Sequence, residues 1–333
     1  MKPIRMFAAT GMLGYGYADE SIERALEMEL DLIAADAGSM DPGPYYLGAG
    51  QAFVSRPAAK RDLSLMMVGG AKKGVPVFIG SAGGGGGDPH VDWLMEIVRE
   101  IATENGLHPK VAVIRSELSK DSLKAKVKAG KIAPLGPIAE LTEEEVDNSH
   151  RVVAMMGPEP FQKALEDGAD VVIAGRASDA AIYAAIPLMR GANPGLAWHL
   201  GKIIECGAQV AEPRLGGDGV IGTLYDDHFT VEPGHPDKRV TRTRVAAHTL
   251  YENPSPYHLK EPTGLVDTTH SAFAQIDDRT VKVTGSRFEP ANVYTVKLEG
   301  VRSLGYRTVS MAGTRDPILI GQIESYIEHC KER

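Results

Sequence analysis

Much that would name a biochemical role at once is missing from this chain of 333 residues. It has two cysteines, Cys206 and Cys330, too few for a disulfide framework and not spaced as a Cys-x-x-Cys pair. A reduced, cytoplasmic setting is therefore expected. Basic residues do not dominate: 36 Lys and Arg stand against 44 Asp and Glu, a net charge of −8, with a pI near 5.7. No Lys/Arg cluster stands out. A nucleic acid or an anionic membrane needs a basic face, so neither is expected as a partner. No apolar stretch approaches the roughly 20 residues that span a bilayer. The opening MKPIRMFAATGMLGYGY is apolar but glycine-rich and has no leader-cleavage pattern, so it reads as a first β-strand.

Standard catalytic fingerprints are missing too. GMLGYG has the spacing G-x-x-G-x-G, not the G-x-G-x-x-G of dinucleotide binders. The five-glycine run Gly83–Gly87 is not followed by Gly-Lys-Ser/Thr, so it is no ATP-type phosphate loop. Ser81 lacks the spacing of a nucleophile elbow. No paired-histidine spacing points to zinc. There is no internal repeat of solenoid type.

What is present is material for a real core, 43% hydrophobic residues, in a chain of two-domain length. Up to about residue 212, apolar runs alternate with helical patterns. The runs are IRMFAAT, LDLIAADAG, VPVFIGSAG, KVAVIRSEL and ADVVIAGRA. Helices are expected at Asp19–Glu29, Ala58–Lys73, Val91–Asn105, Lys120–Ala129 and Gly157–Asp167. This is the pattern of an α/β fold with a mostly parallel sheet flanked by helices. The runs are apolar almost throughout, as strands buried on both faces are. After residue 213 the texture turns to Val, Thr, Tyr and Phe between Gly, Pro and Asp turns. It closes on a helix at Pro317–Lys331. The expected organisation is a parallel α/β domain over 1–212 and a smaller β-rich α+β domain over 213–333. Exposed strand edges in the second part predict a homo-oligomer.

In an open parallel sheet, ligands bind beyond the carboxyl ends of the strands. The segments there are TGMLGYGYADE, DAGSMDPGPYYLG, SAGGGGGDPH, RSEL and GRASD. Each carries glycine, a hydroxyl or a charge. The SAGGGGGDPH loop opens a helix, so its N–H groups can cradle a carboxylate or phosphate. The plainer alternative is a tight turn with Asp88 as N-cap and Pro89 in the first turn. Ser39, Ser81, Gly83, Gly84, Gly85 and Asp88 are the candidate substrate-binding residues from these loops. Arg176 can clamp a carboxylate through its planar fork, with Asp179 as its partner or as a helix cap. Asp36, Asp41 and Glu117 are candidate acid–base carboxylates, and His228 a candidate base. Asp36, Asp41 and Asp88 could instead be oxygen ligands, which leaves a divalent metal open as cofactor. His199, Lys202 and Glu205 share a helix face in WHLGKIIECGA, with Cys206 next. A lone cysteine there, and His248, read first as packed core residues.

The stretches DAGSMDPGPYYLG, SAGGGGGDPH, VVIAGRASDAAIYAA, GKIIECGA, GTLYDDHF, VAAHTLYE and GYRTVSMAGTRDPILI together resemble the acyclic terpene utilisation (AtuA-type) family. The resemblance covers nearly the whole chain. It implies catabolism of branched acids carried as coenzyme A thioesters, and relatives that continue past Arg333, so that this chain is expected to be a shorter variant or to have a partner chain supply that part. It fixes no catalytic residue. Three functions follow as expectations. The first is an enzyme of carboxylate or acyl-CoA catabolism: a lyase, hydratase or isomerase acting by carboxylate acid–base chemistry on a small anionic substrate. The second is a metal-dependent hydrolase, and the third a non-catalytic subunit that binds an anionic ligand.

Overall fold

Five short apolar runs become the parallel half of one nine-stranded sheet. The computed structural model describes residues 2–38, 42–214 and 216–332; Ser39 and Asp41 lie outside the described residues. In chain order the strands are β1 (Ile4–Ala8), β2 (Leu32–Asp36), β3 (Val77–Gly80), β4 (Val111–Ile114), β5 (Ser149–Ala154) and β6 (Val171–Ala174). There follow β7 (Ala211–Glu212), β8 (Val220–Leu224), β9 (His228–Pro233), β10 (Arg239–Val240), β11 (His258–Glu261) and β12 (Gly264–Asp267). The last are β13 (Ala272–Gln275), β14 (Val281–Thr284), β15 (Arg287–Pro290) and β16 (Leu298–Arg302).

The main sheet runs β13-β14-β9-β8-β1-β2-β3-β6-β4. From β1 to β4 all neighbours are parallel; from β1 through β8, β9, β14 and β13 all are antiparallel. Alternate residues feed two cores. Met6, Ala8, Leu32, Ala34, Phe78 and Val172 face one side; Phe7, Ile33, Ala35, Ile79 and Ile173 face the other. The helices Asp19–Glu27, Arg56–Lys73 and Asp88–Asn105 cover the second face. The helices Glu159–Glu166, Asp179–Met189 and Pro194–Ile204 cover the first. The result is a three-layer α/β/α stack. Both faces being buried explains why β2, Leu-Ile-Ala-Ala-Asp, is apolar to its last residue and buried at every one.

The change of texture near residue 213 marks the switch from parallel to antiparallel strands within this sheet. β8 enters beside β1, pairing Val220 with Ala8, because its own apolar run is long enough to be buried centrally. Compact packing groups residues 1–302 as one unit and 303–333 as a second. β5 pairs with β16, and β11, β12 and β15 form a small antiparallel sheet, all within the first unit. The second unit holds the helices Pro317–Gly321 and Ile323–Lys331, where Asp316 caps the N-H groups of Ile318 and Leu319.

Candidate active site

The carboxyl ends of β2, β3 and β6 are adjacent, so the residues that follow them meet. Asp36 is the last residue of β2 and is 2% exposed. Its Oδ2 accepts the Gly38 N–H at 3.0 Å, while Oδ1 is buried with no hydrogen-bond partner among the described residues. Burial, reinforced by the negative Asp179, pushes its pKa well above the carboxylate range. Its protonated form is thereby favoured. Past β3, Ser81 turns with a φ of 50° and is fully buried. Its Oγ accepts from Nη1 of Arg176 at 3.0 Å and from the Ala177 N–H at 3.2 Å.

Arg176, after β6, is held on every side. Nε donates to Glu299 Oε2 at 2.9 Å, Nη2 reaches Glu299 Oε1 at 3.5 Å, and Nη1 lies 3.4 Å from Asp179 Oδ1. Ser116, past β4, accepts the Arg176 backbone N–H at 2.6 Å and donates to the Gly86 carbonyl at 2.9 Å. These bonds tie the loops after β3, β4 and β6 into one rigid edge. Arg176 is thus the counter-ion of Glu299 and Asp179, and its fork is already filled.

Asp179 opens the helix Asp179–Met189, and 28% of its side chain stays open to solvent. Burial outweighs the pull of Arg176 and lifts its pKa to about 6. Glu261, half-buried at the end of β11, accepts a hydrogen bond from Ser178 Oγ at 2.6 Å. Its pKa is pushed up to about 7 by burial, with Asp179 adding to the rise against Ser178. Glu205 shows the opposite. Burial opposes its charge, but Lys202 at 2.7 Å and His248 hold it down to about 2. Cys206 Sγ donates to Glu205 Oε2 at 2.9 Å, and burial beside that carboxylate raises the thiol pKa far above its usual range. His248 Nε2 lies 3.8 Å from Glu205 Oε1, too long for a hydrogen bond, and its ring stacks on Tyr251 at 5.2 Å. Tyr183, fully buried, belongs to the same field: Asp36 and Glu205 lie within electrostatic reach of its hydroxyl.

Carboxyls in one locale are thereby driven apart, Asp36, Asp179 and Glu261 toward neutrality and Glu205 toward permanent ionisation. That is the electrostatic layout of general acid–base catalysis. A cleft of about 360 Å³ meets the cluster at Cys206, walled by Thr10, Gly11, Gly217 and Asp218, with Arg214 also lining it.

The glycine loop sits beside this cluster and is packed solid. Residues Ser81 to Gly87 are all buried. A Cβ on Gly83 would lie 2.9 Å from the His90 side chain, and one on Gly85 3.0 Å from Leu47 Cα. Gly86, at φ 69°, lies directly against the Arg176 backbone. The N–H groups of Gly84 and Gly86 are used in turns within the loop, and the helix N-cap is Gly87, with Asp88 one place further on. Here the chain supplies its own anion: Glu117 Oε2 accepts the Asp88 N–H at 2.8 Å, and Glu117 also pairs with Arg151 at 3.0 Å.

Of the residues picked out from sequence, Asp36, Ser81, Arg176 and Asp179 are brought together. Gly83, Gly84 and Gly85 form the adjoining wall. Glu117 and Asp88 lie on the far side of that loop, Asp88 within 3.4 Å of Arg115. His228 is at the opposite edge of the sheet: β9 pairs Phe229 with Leu224, which pairs with Ile4 at the start of β1. There His228 bonds Asp227 at 2.6 Å and stacks on Tyr225. His199 faces away too, between Ser286 and Thr249, and burial lowers its pKa to about 3. Glu261, Glu299, Ser116 and Tyr183 were not legible as site residues. Ser116 and Tyr183 lie in the stretches RSEL and VVIAGRASDAAIYAA, where neighbours drew the attention, and Glu261 and Glu299 come from late strands that only the fold delivers.

The model of the acyclic terpene utilisation family protein AtuA matches residues 59–317. No curated protein and no solved structure matches the chain.

Proposed function

Because the chain belongs to the acyclic terpene utilisation family of AtuA proteins, we propose that it is a catabolic enzyme that moves protons on a small branched carboxylic acid or its coenzyme A thioester, as a lyase, hydratase or isomerase. The observation that carries this reading is the pair Asp179 and Glu261, whose pKa values of about 6 and about 7 match the task of acid and base near neutral pH. Asp179 is the better placed to reach a reactant, since part of its carboxyl remains open. Asp36, whose protonated form burial favours, and Tyr183 are buried donors in the same field, suited to an oxyanion such as an enolate. Cys206, whose thiol bonds Glu205, also lines a cleft with Arg214, and that guanidinium would attract an anionic substrate from this side. Two filled positions, Arg176 and the glycine loop, act instead as scaffold: they fix Asp179 and the strand ends within hydrogen-bond tolerance of each other.

The test is turnover of a panel of branched acyl-CoA thioesters and their free acids, with Asp179→Asn as the control. A productive substrate should lose about 10²–10⁴-fold in kcat with that variant, the usual worth of a positioned acid–base group. Equal turnover by both proteins would remove Asp179 from the chemistry.

A further inference from the structure

Glu205, Cys206 and His248 offer one oxygen, one sulfur and one nitrogen, all within 4.8 Å of one another. Nothing in the acid–base reading uses the thiol or the imidazole. Two independent features point to a ligand here. First, His248 is 6% exposed, and its Nε2 is buried without a hydrogen-bond partner among the described residues although it faces Glu205. An imidazole nitrogen left bare in the interior has lost its hydration with nothing in return unless something occupies it. Second, Cys206 also lines the cleft walled by Thr10, Gly11, Gly217 and Asp218, so the donor set lies beside an opening.

We propose that Glu205, Cys206 and His248 bind a single borderline divalent cation, with zinc the best match to the donor set. Carboxylate oxygen, thiolate and imidazole at zinc bond lengths of about 2.0–2.3 Å lie about 3.4–3.7 Å apart in a tetrahedron. One donor atom from each of the three residues already lies within 4.8 Å of the other two, and Cys206 Sγ is 2.9 Å from Glu205 Oε2, the oxygen that Lys202 leaves free. The ion replaces the thiol proton, which leaves to solvent as the metal enters. One Glu205 oxygen serves the ion and the other keeps its bond to Lys202, an outer-shell contact that fixes the carboxylate. Three protein ligands leave a fourth position, as catalytic rather than structural zinc sites do, and the cleft that reaches Cys206 gives that position an opening.

The site stands on its ligand set, and its test reads binding, so its failure leaves the acid–base reading intact. The full chain is stripped with a chelator and titrated with zinc against a chromophoric competitor. One equivalent should bind, and Cys206→Ala or His248→Ala should each weaken binding by at least about tenfold. Cobalt in place of zinc should give the near-ultraviolet thiolate-to-cobalt charge-transfer band in the unmodified protein. The band should persist in Cys330→Ala, since Cys330 is exposed and outside the site. Absence of the band from the folded unmodified protein overturns the proposal with no variant needed. So does stoichiometric binding that survives loss of both Cys206 and His248, or a band that disappears with Cys330.

Discussion

Replacing Glu261 by glutamine changes one atom and removes one titration, which isolates the cost of holding that carboxylate inside the cluster. Its pKa rises from 4.5 to about 7 on folding. Between those values the folded protein holds a proton that the unfolded chain has released, so stability falls as pH rises through the window. The linkage relation gives a loss of about 2 kcal/mol between pH 5.5 and 8.5 for this group alone. Glu261 is half-buried, and solvent trims that to about 1–2 kcal/mol. Glutamine keeps a carbonyl to accept the Ser178 hydroxyl, which now meets Glu261 at 2.6 Å. Glu261→Gln should therefore gain on the parent as pH rises, by about 1–2 kcal/mol more at pH 8.5 than at pH 5.5. Denaturation midpoints of both proteins across that range are the assay, and the difference between them cancels every other titrating group. A difference that does not grow with pH, or grows in the opposite sense, refutes the raised pKa and with it the proposed acid–base pair.

Arg176→Ala should cost about 3–5 kcal/mol of stability, because it leaves Glu299 and Asp179 without their shared cation; denaturant unfolding measures it. Arg176→Lys should recover less than half, since one ammonium cannot serve Glu299 and Ser81 at once. Gly86→Ala should lower the thermal midpoint, because the new Cβ meets the Arg176 backbone at a φ of 69°. An unchanged midpoint would mean that the loop is not packed as described. Valine at Gly85 should likewise destabilise, against Leu47 and His90, before any effect on ligand binding is seen.

The parallel sheet was legible because burial on both faces leaves a continuous apolar run, as in β2 and β6. The meeting of Asp36, Ser81, Arg176 and Asp179 followed from strand ends sharing one edge. The rest depends on pairings that leave no local trace. β8 and β9 carry the Val/Thr/Tyr texture of a separate β region, yet they join the main sheet through the β1–β8 ladder. Glu299 reaches Arg176 across 123 residues of sequence, and Glu261 reaches Ser178 across 83. The Lys202–Glu205–Cys206 run was visible as a helix face. What distinguishes it from an ordinary packed face is His248, brought in by the helix Arg242–Thr249. The five glycines suggested an open cradle. They serve close packing, and Glu117 occupies the helix N-terminus that an outside anion would have taken.

The most direct test of the central claim is solvent deuterium exchange. The protein is incubated in deuterium oxide with branched acyl-CoA thioesters and the corresponding acids, and label next to the carbonyl is read by mass spectrometry or NMR. An acid–base site built on Asp179 and Glu261 predicts label in at least one thioester, a rate that depends on ionisation near pH 6–7, and a loss of about 10²-fold or more in Asp179→Asn. Label that appears at the same rate with Asp179→Asn, or with a pH dependence lying wholly outside that interval, would contradict it.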